Sequence, residues 1–290
     1  MPELSDISYS HGVTVAAFRD YYRFLVTMYL DESAVIEPPE GGWPTITSDT
    51  WVDFDKTDEV FSLLRHLPYI RLAAGNETHQ SVPDGEFADW TAIPADWQGK
   101  NIKELTEIPS DEGEVPPHIV GLTIYGEFCP KFLLDTELGV VYWPECAGVI
   151  NTSGPDQVKP DPYDWAEDEL ITESQAEWRA SGGIWAIEDF FGMLKFHFRE
   201  LNFVPIGSRV VEMIWNRQPG KRRDMLTAIQ EVYREHGWPD LTRFRRQDCL
   251  PQIVSKKKSH NSANPTLHKT STALSTKPTL LLHPRLTQHR

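Results

Sequence analysis

Cysteine, histidine and carboxylate side chains are the groups of this sequence that could do nucleophilic or acid–base chemistry. Cys129 with His66 could form a nucleophile and its base, because a neighbouring histidine favours the reactive thiolate. Glu127 and Asp135 could form a carboxylate pair for proton transfer. A free cysteine, however, usually packs as a small apolar side chain, and an aspartate commonly opens a turn. We therefore favour a structural interpretation of both pairs.

Motifs that bind a cofactor or a metal ion are absent from the sequence. The chain has no glycine-rich phosphate loop, no HExxH zinc motif and no GxSxG nucleophile elbow. Its three cysteines, Cys129, Cys146 and Cys249, form no CxxC pair and stand far apart. We expect no metal, no cofactor and no disulfide framework.

Four side chains form the candidate binding surface: Trp43, His66, Tyr69 and Trp143. Aromatic rings beside a histidine are typical of small-molecule pockets, so an enzyme's pocket would lie here. His66 has a structural alternative, because a histidine near the end of a helix complements the helix dipole. The sequence identifies no catalytic residue.

A predicted hairpin in residues 119–146 organises the elements that position these side chains. The runs Phe132–Leu134 and Val140–Trp143 flank a turn at 135–139, where Gly139 supplies a positive φ. A third apolar run, Ile119–Tyr125, precedes them. Three adjacent strands that are apolar on nearly every residue indicate a sheet covered on at least one face.

Apolar residues at three- and four-residue spacing predict helices around this sheet. The helices are predicted at about 14–30, 58–67, 172–182, 185–201 and 223–235, and short strands at 203–205 and 210–215. This pattern predicts a single α+β domain over residues 15–254, with a central antiparallel or mixed sheet packed by helices. We predict a flexible N-terminus at 1–14 and an acidic irregular excursion at about 75–117.

Charge is divided unevenly along the chain, whose net charge is −15. From Ser255 onward there are seven Lys or Arg residues and no acid, which leaves 21 basic and 43 acidic residues before it. This Ser/Thr/Pro/Lys-rich end has too little apolar surface to fold, so we predict a disordered basic tail at 255–290. We further expect the tail to lie loosely over the acidic excursion. The acidic body disfavours nucleic acid and suits a basic protein partner.

Membrane and export signals are missing from the sequence. No stretch approaches the roughly 18 apolar residues that a membrane span needs, and residues 1–12 lack the basic and apolar regions of a secretory signal. We therefore expect no membrane association and a cytoplasmic location, with the nucleus as the alternative because Lys256–Lys258 are consecutive lysines.

Several phrases of the sequence resemble a large group of filamentous-fungal proteins over about residues 15–250, a resemblance that implies no particular activity. They are YYRF at 21–24, GWP at 42–44, DEVFSLLRHLPY at 58–69, LDT at 134–136 with GVV at 139–141, and YREHGWPD at 233–240. The tail after about Val254 departs from that pattern. More distantly, the N-terminal helix, the Trp-Pro segment and the hairpin resemble the SUKH (cell-wall-assembly-regulator-like) α+β domain. EGGW at 40–43 stands where that domain usually has Asn-Gly.

The SUKH resemblance implies a protein-binding module without catalytic residues. We therefore predict a non-catalytic intracellular interaction or regulatory protein, with a small-molecule enzyme as the alternative. An enzyme should have a deep pocket with convergent polar groups, whereas an adaptor should have a shallow exposed apolar patch.

Overall fold

The computed structural model describes residues 2–51, 53–71, 79–108, 114–124, 129–151, 153–158, 172–215 and 219–262. These residues form helices and short antiparallel strands, as expected for an α+β protein. The helices are α1 (His11–Met28), α2 (Asp58–His66), α3 (Gly99–Thr106), α4 (Gly148–Asn151), α5 (Glu173–Ala180), α6 (Ile187–Arg199), α7 (Lys221–Glu235) and α8 (Arg246–Ser262). The strands are β1 (Val35–Ile36), β2 (Tyr69–Ile70), β3 (Ile119–Gly121), β4 (Leu133–Asp135), β5 (Val140–Trp143), β6 (Gly183–Ala186), β7 (Phe203–Pro205) and β8 (Val211–Met213).

The predicted hairpin is confirmed as the centre of a four-stranded antiparallel sheet with strand order β3-β4-β5-β6. Leu134 is fully buried and pairs with Val120 on one side and Val141 on the other. Gly139 has a φ of 75°, which a glycine adopts without the steric cost that a side chain would add. The register therefore places the apolar side chains of β3, β4 and β5 in the core.

Strand β6 is an element that the sequence prediction missed. The helix predicted from about Trp185 begins at Ile187, and Trp185 instead pairs with Val141 of β5. The backbone just before β6 runs close to β5, since a Cβ added at Gly182 would lie 1.9 Å from the carbonyl oxygen of Trp143. The open edge of β5 thus pairs with Gly183–Ala186, a short apolar run whose spacing resembles the start of a helix.

The aromatic face of α1 packs against α6 in the core of the protein. Phe18 and Tyr21 lie 4.8 and 5.2 Å from Phe191, measured between ring centroids. The Tyr21 hydroxyl donates a 2.6 Å hydrogen bond to the backbone oxygen of Ser81. Helix α1 begins at His11, so the predicted boundary near residue 15 is too late.

The region predicted as an irregular excursion at 75–117 contains α3 and a short 3-10 helix at Trp90–Ala92. Phe87, Trp90 and Ile102 are buried in the main core, so much of this region is folded onto the body. Residues 75–78 and 109–113 of the excursion lie outside the described residues.

Helix α8 was missed by the sequence prediction and extends into the predicted tail. Cys249 and Ile253 are fully buried where α8 packs along α7. The helix continues to Ser262, so the prediction of disorder from Ser255 is wrong for residues 255–262. Burial of the first half of the helix, together with the good helix propensity of lysine, outweighs the polar composition. Residues 263–290 lie outside the described residues.

Candidate binding site

Trp43 and Tyr69 lie together around the end of α2. The Trp43 Nε1 donates a 2.8 Å hydrogen bond to the backbone oxygen of Leu67, and its ring centroid lies 6.0 Å from that of Tyr69. Tyr69 is buried, and its hydroxyl donates to the backbone oxygen of Leu64. The polar atoms of both rings are therefore occupied by the chain's own backbone.

His66 occupies the last turn of α2, as the helix-dipole interpretation requires. Its Nδ1 donates a 2.7 Å hydrogen bond to the backbone oxygen of Ser62, and its ring meets that of His11 edge-on with 5.3 Å between centroids. His11 and Tyr9 both bond to one carboxylate oxygen of Glu59, at 3.0 and 2.7 Å. These contacts join α2 to the first residue of α1 and to the segment before it.

Trp143 lies apart from the other three, in the four-stranded sheet. Its ring meets that of Phe132 edge-on, with 4.9 Å between centroids, and it is 6% exposed. Tyr69 belongs to the separate two-stranded sheet of β1 and β2. The structure therefore brings Trp43, His66 and Tyr69 to one region and does not bring Trp143 to it.

The other residues considered for chemistry from the sequence are Asp135, Cys129 and Glu127, and the first two make contacts within the fold. Asp135 is fully buried, and its Oδ1 accepts 2.9 Å hydrogen bonds from the backbone nitrogens of Glu137 and Leu138, as a turn-forming aspartate does. Cys129 is partly buried, with its Sγ 3.7 Å from the backbone oxygen of Pro130. Glu127 lies outside the described residues.

An open cleft that the sequence did not single out lies between α2, α3 and the loop before α2. Its volume is about 590 Å³. The cleft is lined by Ser48, Trp51, Asp53, Asp55, Lys56, Phe61 and Lys103.

The floor of the cleft is aromatic. The rings of Trp51 and Phe61 stack with 6.4 Å between centroids, and the two residues are only 2% and 8% exposed. The Nε1 of Trp51 is buried and has no hydrogen-bond partner among the described residues. Phe54 and Trp90 lie behind this floor at 6.0 and 5.7 Å from Trp51, which holds the indole in place.

The rim of the cleft carries two exposed carboxylates on left-handed backbone. Asp53 and Asp55 have φ values of 62° and 53°, a region that aspartate enters more readily than most residues. Gly99, the first residue of α3, locks this loop, because a Cβ there would lie 2.0 Å from the carbonyl carbon of Asp53. Lys103 of α3 approaches Asp55 to 4.0 Å, and its side chain is 31% exposed. The backbone that carries both carboxylates is thus held in place at the rim of the cleft.

Lys56 forms the inner wall of the cleft, and its ammonium group is surrounded by acceptors from the protein itself. Its Nζ lies 2.6 Å from Oε1 of Glu107 and donates to the backbone oxygens of Ile119 and Pro116 at 2.7 and 3.3 Å. Burial lowers the pKa of Lys56 and raises the pKa of Glu107, while their mutual attraction opposes both shifts. Because three oxygens surround the amine, each of its three protons has an acceptor, which is the environment of an ammonium ion.

The sequence carries only a faint signal of this cleft. Residues 51–55 contain two aromatic residues, Trp51 and Phe54, and two aspartates, Asp53 and Asp55, with no regular spacing that would predict a site. The segment is a loop, and the partners that complete the cleft come from α2 and α3.

Metal-binding and membrane-spanning features were sought over the described ranges. Within them, no group of three or more His, Cys, Asp or Glu side chains is arranged to hold a metal ion. None of the helices in those ranges is long and apolar enough to cross a membrane.

No protein-family model, curated protein or solved structure matches this chain.

Proposed function

We propose that this protein is a non-catalytic interaction module that binds a basic segment of a protein partner in the cleft between α2 and α3. The observation that carries the proposal is the pair of exposed carboxylates, Asp53 and Asp55, which line the same cleft as the stacked rings of Trp51 and Phe61. The partner would be met in the cytoplasm or nucleus, and the SUKH resemblance supports a binding role.

A lysine or arginine side chain fits this arrangement by its chemistry. Its charged group can reach a carboxylate at the rim while its aliphatic stem covers the edge of Phe61, the more exposed of the two floor residues at 8%. Asp53 has no ion-pair partner among the described residues, and Lys103 reaches Asp55 only at 4.0 Å. The chain's net charge of −15 would further attract a basic partner over a distance of about one Debye length, ~8 Å at physiological salt.

Two observations favour binding over catalysis. The amine of Lys56, the group in the cleft wall best suited to act as a nucleophile, is surrounded by three oxygen acceptors. The polar atoms of Trp43 and Tyr69 and the Nδ1 of His66, the groups of the enzyme alternative, bond to backbone oxygens.

The most exposed large apolar residues, Val13, Val149, Leu241 and Val254, lie on different elements, so recognition would use the charged cleft rather than an apolar patch.

Binding of a labelled lysine-rich peptide, followed by fluorescence anisotropy at low salt, tests the proposal. The variant Asp53→Asn/Asp55→Asn keeps residues that tolerate the left-handed backbone and removes both charges. Exposed ion pairs contribute up to about 1 kcal/mol each, so we expect the dissociation constant to rise by about tenfold.

The matched control is Asp96→Asn/Asp248→Asn, which removes two exposed carboxylates away from the cleft lining. Retained binding by the control, with loss in the cleft variant, supports the site. Equal weakening in both variants would show that net charge alone attracts the peptide. No binding by the unaltered protein would also overturn the proposal.

A further inference from the structure

Two runs of basic residues lie far apart in the sequence. Lys221–Arg223 begin α7, and Lys256–Lys258 lie in the second half of α8. All of these residues are exposed except Lys257, which is partly buried. The runs belong to α7 and α8, which make the most extensive contact between elements of this fold.

The antiparallel packing of α7 and α8 brings the two runs together. Cys249 Sγ lies 4.0 Å from the backbone oxygen of Val232, whereas four residues earlier, just before α8, the backbone nitrogen of Arg245 donates a 2.9 Å hydrogen bond to the backbone oxygen of His236, four residues later than Val232. Starting from these contacts, the direction towards the first turn of α7 is the same as the direction towards the end of α8. Both helices rise by about 1.5 Å per residue. Arg222 lies ten residues before Val232 in α7, and Lys256–Lys258 lie seven to nine residues after Cys249 in α8. The start of α7 is therefore within about one helical turn of Lys256–Lys258 along the helix axes.

The electrostatics of the pair of helices agree with this placement. The pKa of Lys257 is lowered by burial and then by the positive charge of Arg222, so the two cations act on each other. Arg222 is paired with the buried Glu212 and is attracted by Asp84. Asp224, in the first turn of α7, is the acid nearest in sequence.

We propose that the basic surface formed by Lys221–Arg223 and Lys256–Lys258 binds an acidic segment of a partner protein. Six basic residues are gathered there, and among the residues that the structure describes the acids Glu212, Asp84 and Asp224 face or adjoin them. Like charges held close together raise the free energy of the folded chain, and an anionic ligand offsets that cost. This surface belongs to α7 and α8, whereas the rim of the proposed cleft carries the carboxylates of Asp53 and Asp55.

The size of the surface favours a peptide over nucleic acid. An extended duplex carries one negative charge per ~1.7 Å and would overlie the surrounding acidic body of this chain, whose net charge is −15. A short acidic segment can confine its charges to the two basic runs. We therefore commit to an acidic protein segment as the occupant.

The test measures binding of a labelled ten-residue glutamate peptide to the full chain at low and at physiological salt. Lys256→Gln/Lys257→Gln/Lys258→Gln is the surface variant, and Lys100→Gln/Arg234→Gln/Arg243→Gln is the control, since it removes three exposed charges elsewhere. We expect the surface variant to bind at least about tenfold more weakly and the control to bind within about twofold of the unaltered protein. Circular dichroism of both variants verifies that α8 remains folded.

Three outcomes would overturn the inference. Equal weakening by both variants would assign the effect to net charge. Tighter binding of duplex DNA or of vesicles containing anionic lipid, at matched salt, would assign the surface to a different class of partner. Concentration-dependent self-association that is abolished by the surface variant would identify a second copy of this chain as the occupant.

Discussion

Lys56 and Glu107 form a buried ion pair with 2.6 Å between Nζ and Oε1, and their side chains are 0% and 3% exposed. Lys56 immediately precedes the cap of α2, while Glu107 follows α3. The hydrogen bond from Lys56 to the backbone oxygen of Ile119 adds β3 to the same junction. One ammonium group thus joins the three elements behind the proposed cleft.

Removing one partner of this pair should destabilise the protein strongly. Lys56→Met leaves the Glu107 carboxylate buried without its counter-charge, and such a change costs about 3–5 kcal/mol. In Lys56→Met/Glu107→Met no charge remains to be buried, so the double variant should be more stable than Lys56→Met. Urea unfolding of the two single variants and the double variant measures the coupling. Additive single effects would contradict the pairing.

Leu134 is predicted to be essential for folding. The substitution Leu134→Asp would bury a carboxylate between Val120 and Val141, at a cost of several kcal/mol against a total stability of about 5–15 kcal/mol. We expect little soluble protein and a greatly lowered melting temperature. Leu241→Asp is the control, because Leu241 is 50% exposed and should tolerate the change. An unchanged melting temperature for Leu134→Asp would refute the hairpin register.

Two glycine substitutions should have opposite effects on stability. A Cβ at Gly121 would lie 1.7 Å from the backbone oxygen of Thr106, so Gly121→Ala forces β3 and α3 apart and should cost at least about 1–3 kcal/mol. Gly12, in the first turn of α1, has no atom within 4 Å of the added Cβ. Gly12→Ala should be neutral or stabilise by up to about 1 kcal/mol. Thermal unfolding of both variants measures the contrast, and a harmless Gly121→Ala would contradict the close packing of β3 on α3.

His197 should make stability fall in mild acid. Burial lowers its pKa from 6.5 to about 4, so the folded state binds fewer protons than the unfolded state between these values. Stability is therefore lost as pH falls from about 6.5 to 4, and the loss at about pH 5 is roughly 2 kcal/mol. Asn202 Nδ2 lies 3.2 Å from the imidazole Nδ1, and the glutamine oxygen in His197→Gln can accept that bond.

The measurement is urea unfolding of the unaltered protein and His197→Gln at several pH values. The difference in unfolding free energy between them should change by about 2 kcal/mol between about pH 7 and pH 5. A constant difference across this range would show that His197 titrates normally in the folded state.

Elements with strong local signals were predictable from the sequence. Thr57 caps α2 by accepting a hydrogen bond from the backbone nitrogen of Val60, and Thr172 caps α5 in the same way through Gln175. The hairpin turn was predictable from Asp135, which accepts hydrogen bonds from the turn backbone, and from Gly139, which has a positive φ. In each case the decisive interaction spans a few residues of chain.

Features created by distant segments were not predictable from single residues. Strand β6 depends on the open edge of β5, and α8 depends on the face that α7 offers to Cys249 and Ile253. The cleft combines a loop before α2 with Lys103 of α3, so neither sequence segment contains it alone. Conversely, Trp43 and Trp143 looked like one surface because aromatic residues mark both cores and pockets.

The packing of α1 on α6 has a consequence for synthesis on the ribosome. The buried aromatic face of α1, including Phe18 and Tyr21, is completed by Phe191, so this face stays partly uncovered until α6 follows. Between the end of α1 at Met28 and the start of α6 at Ile187, translation at ~5–20 residues per second takes roughly 8–30 s. For that interval the nascent chain exposes an apolar aromatic helix, and chaperones that bind such surfaces should associate with it co-translationally.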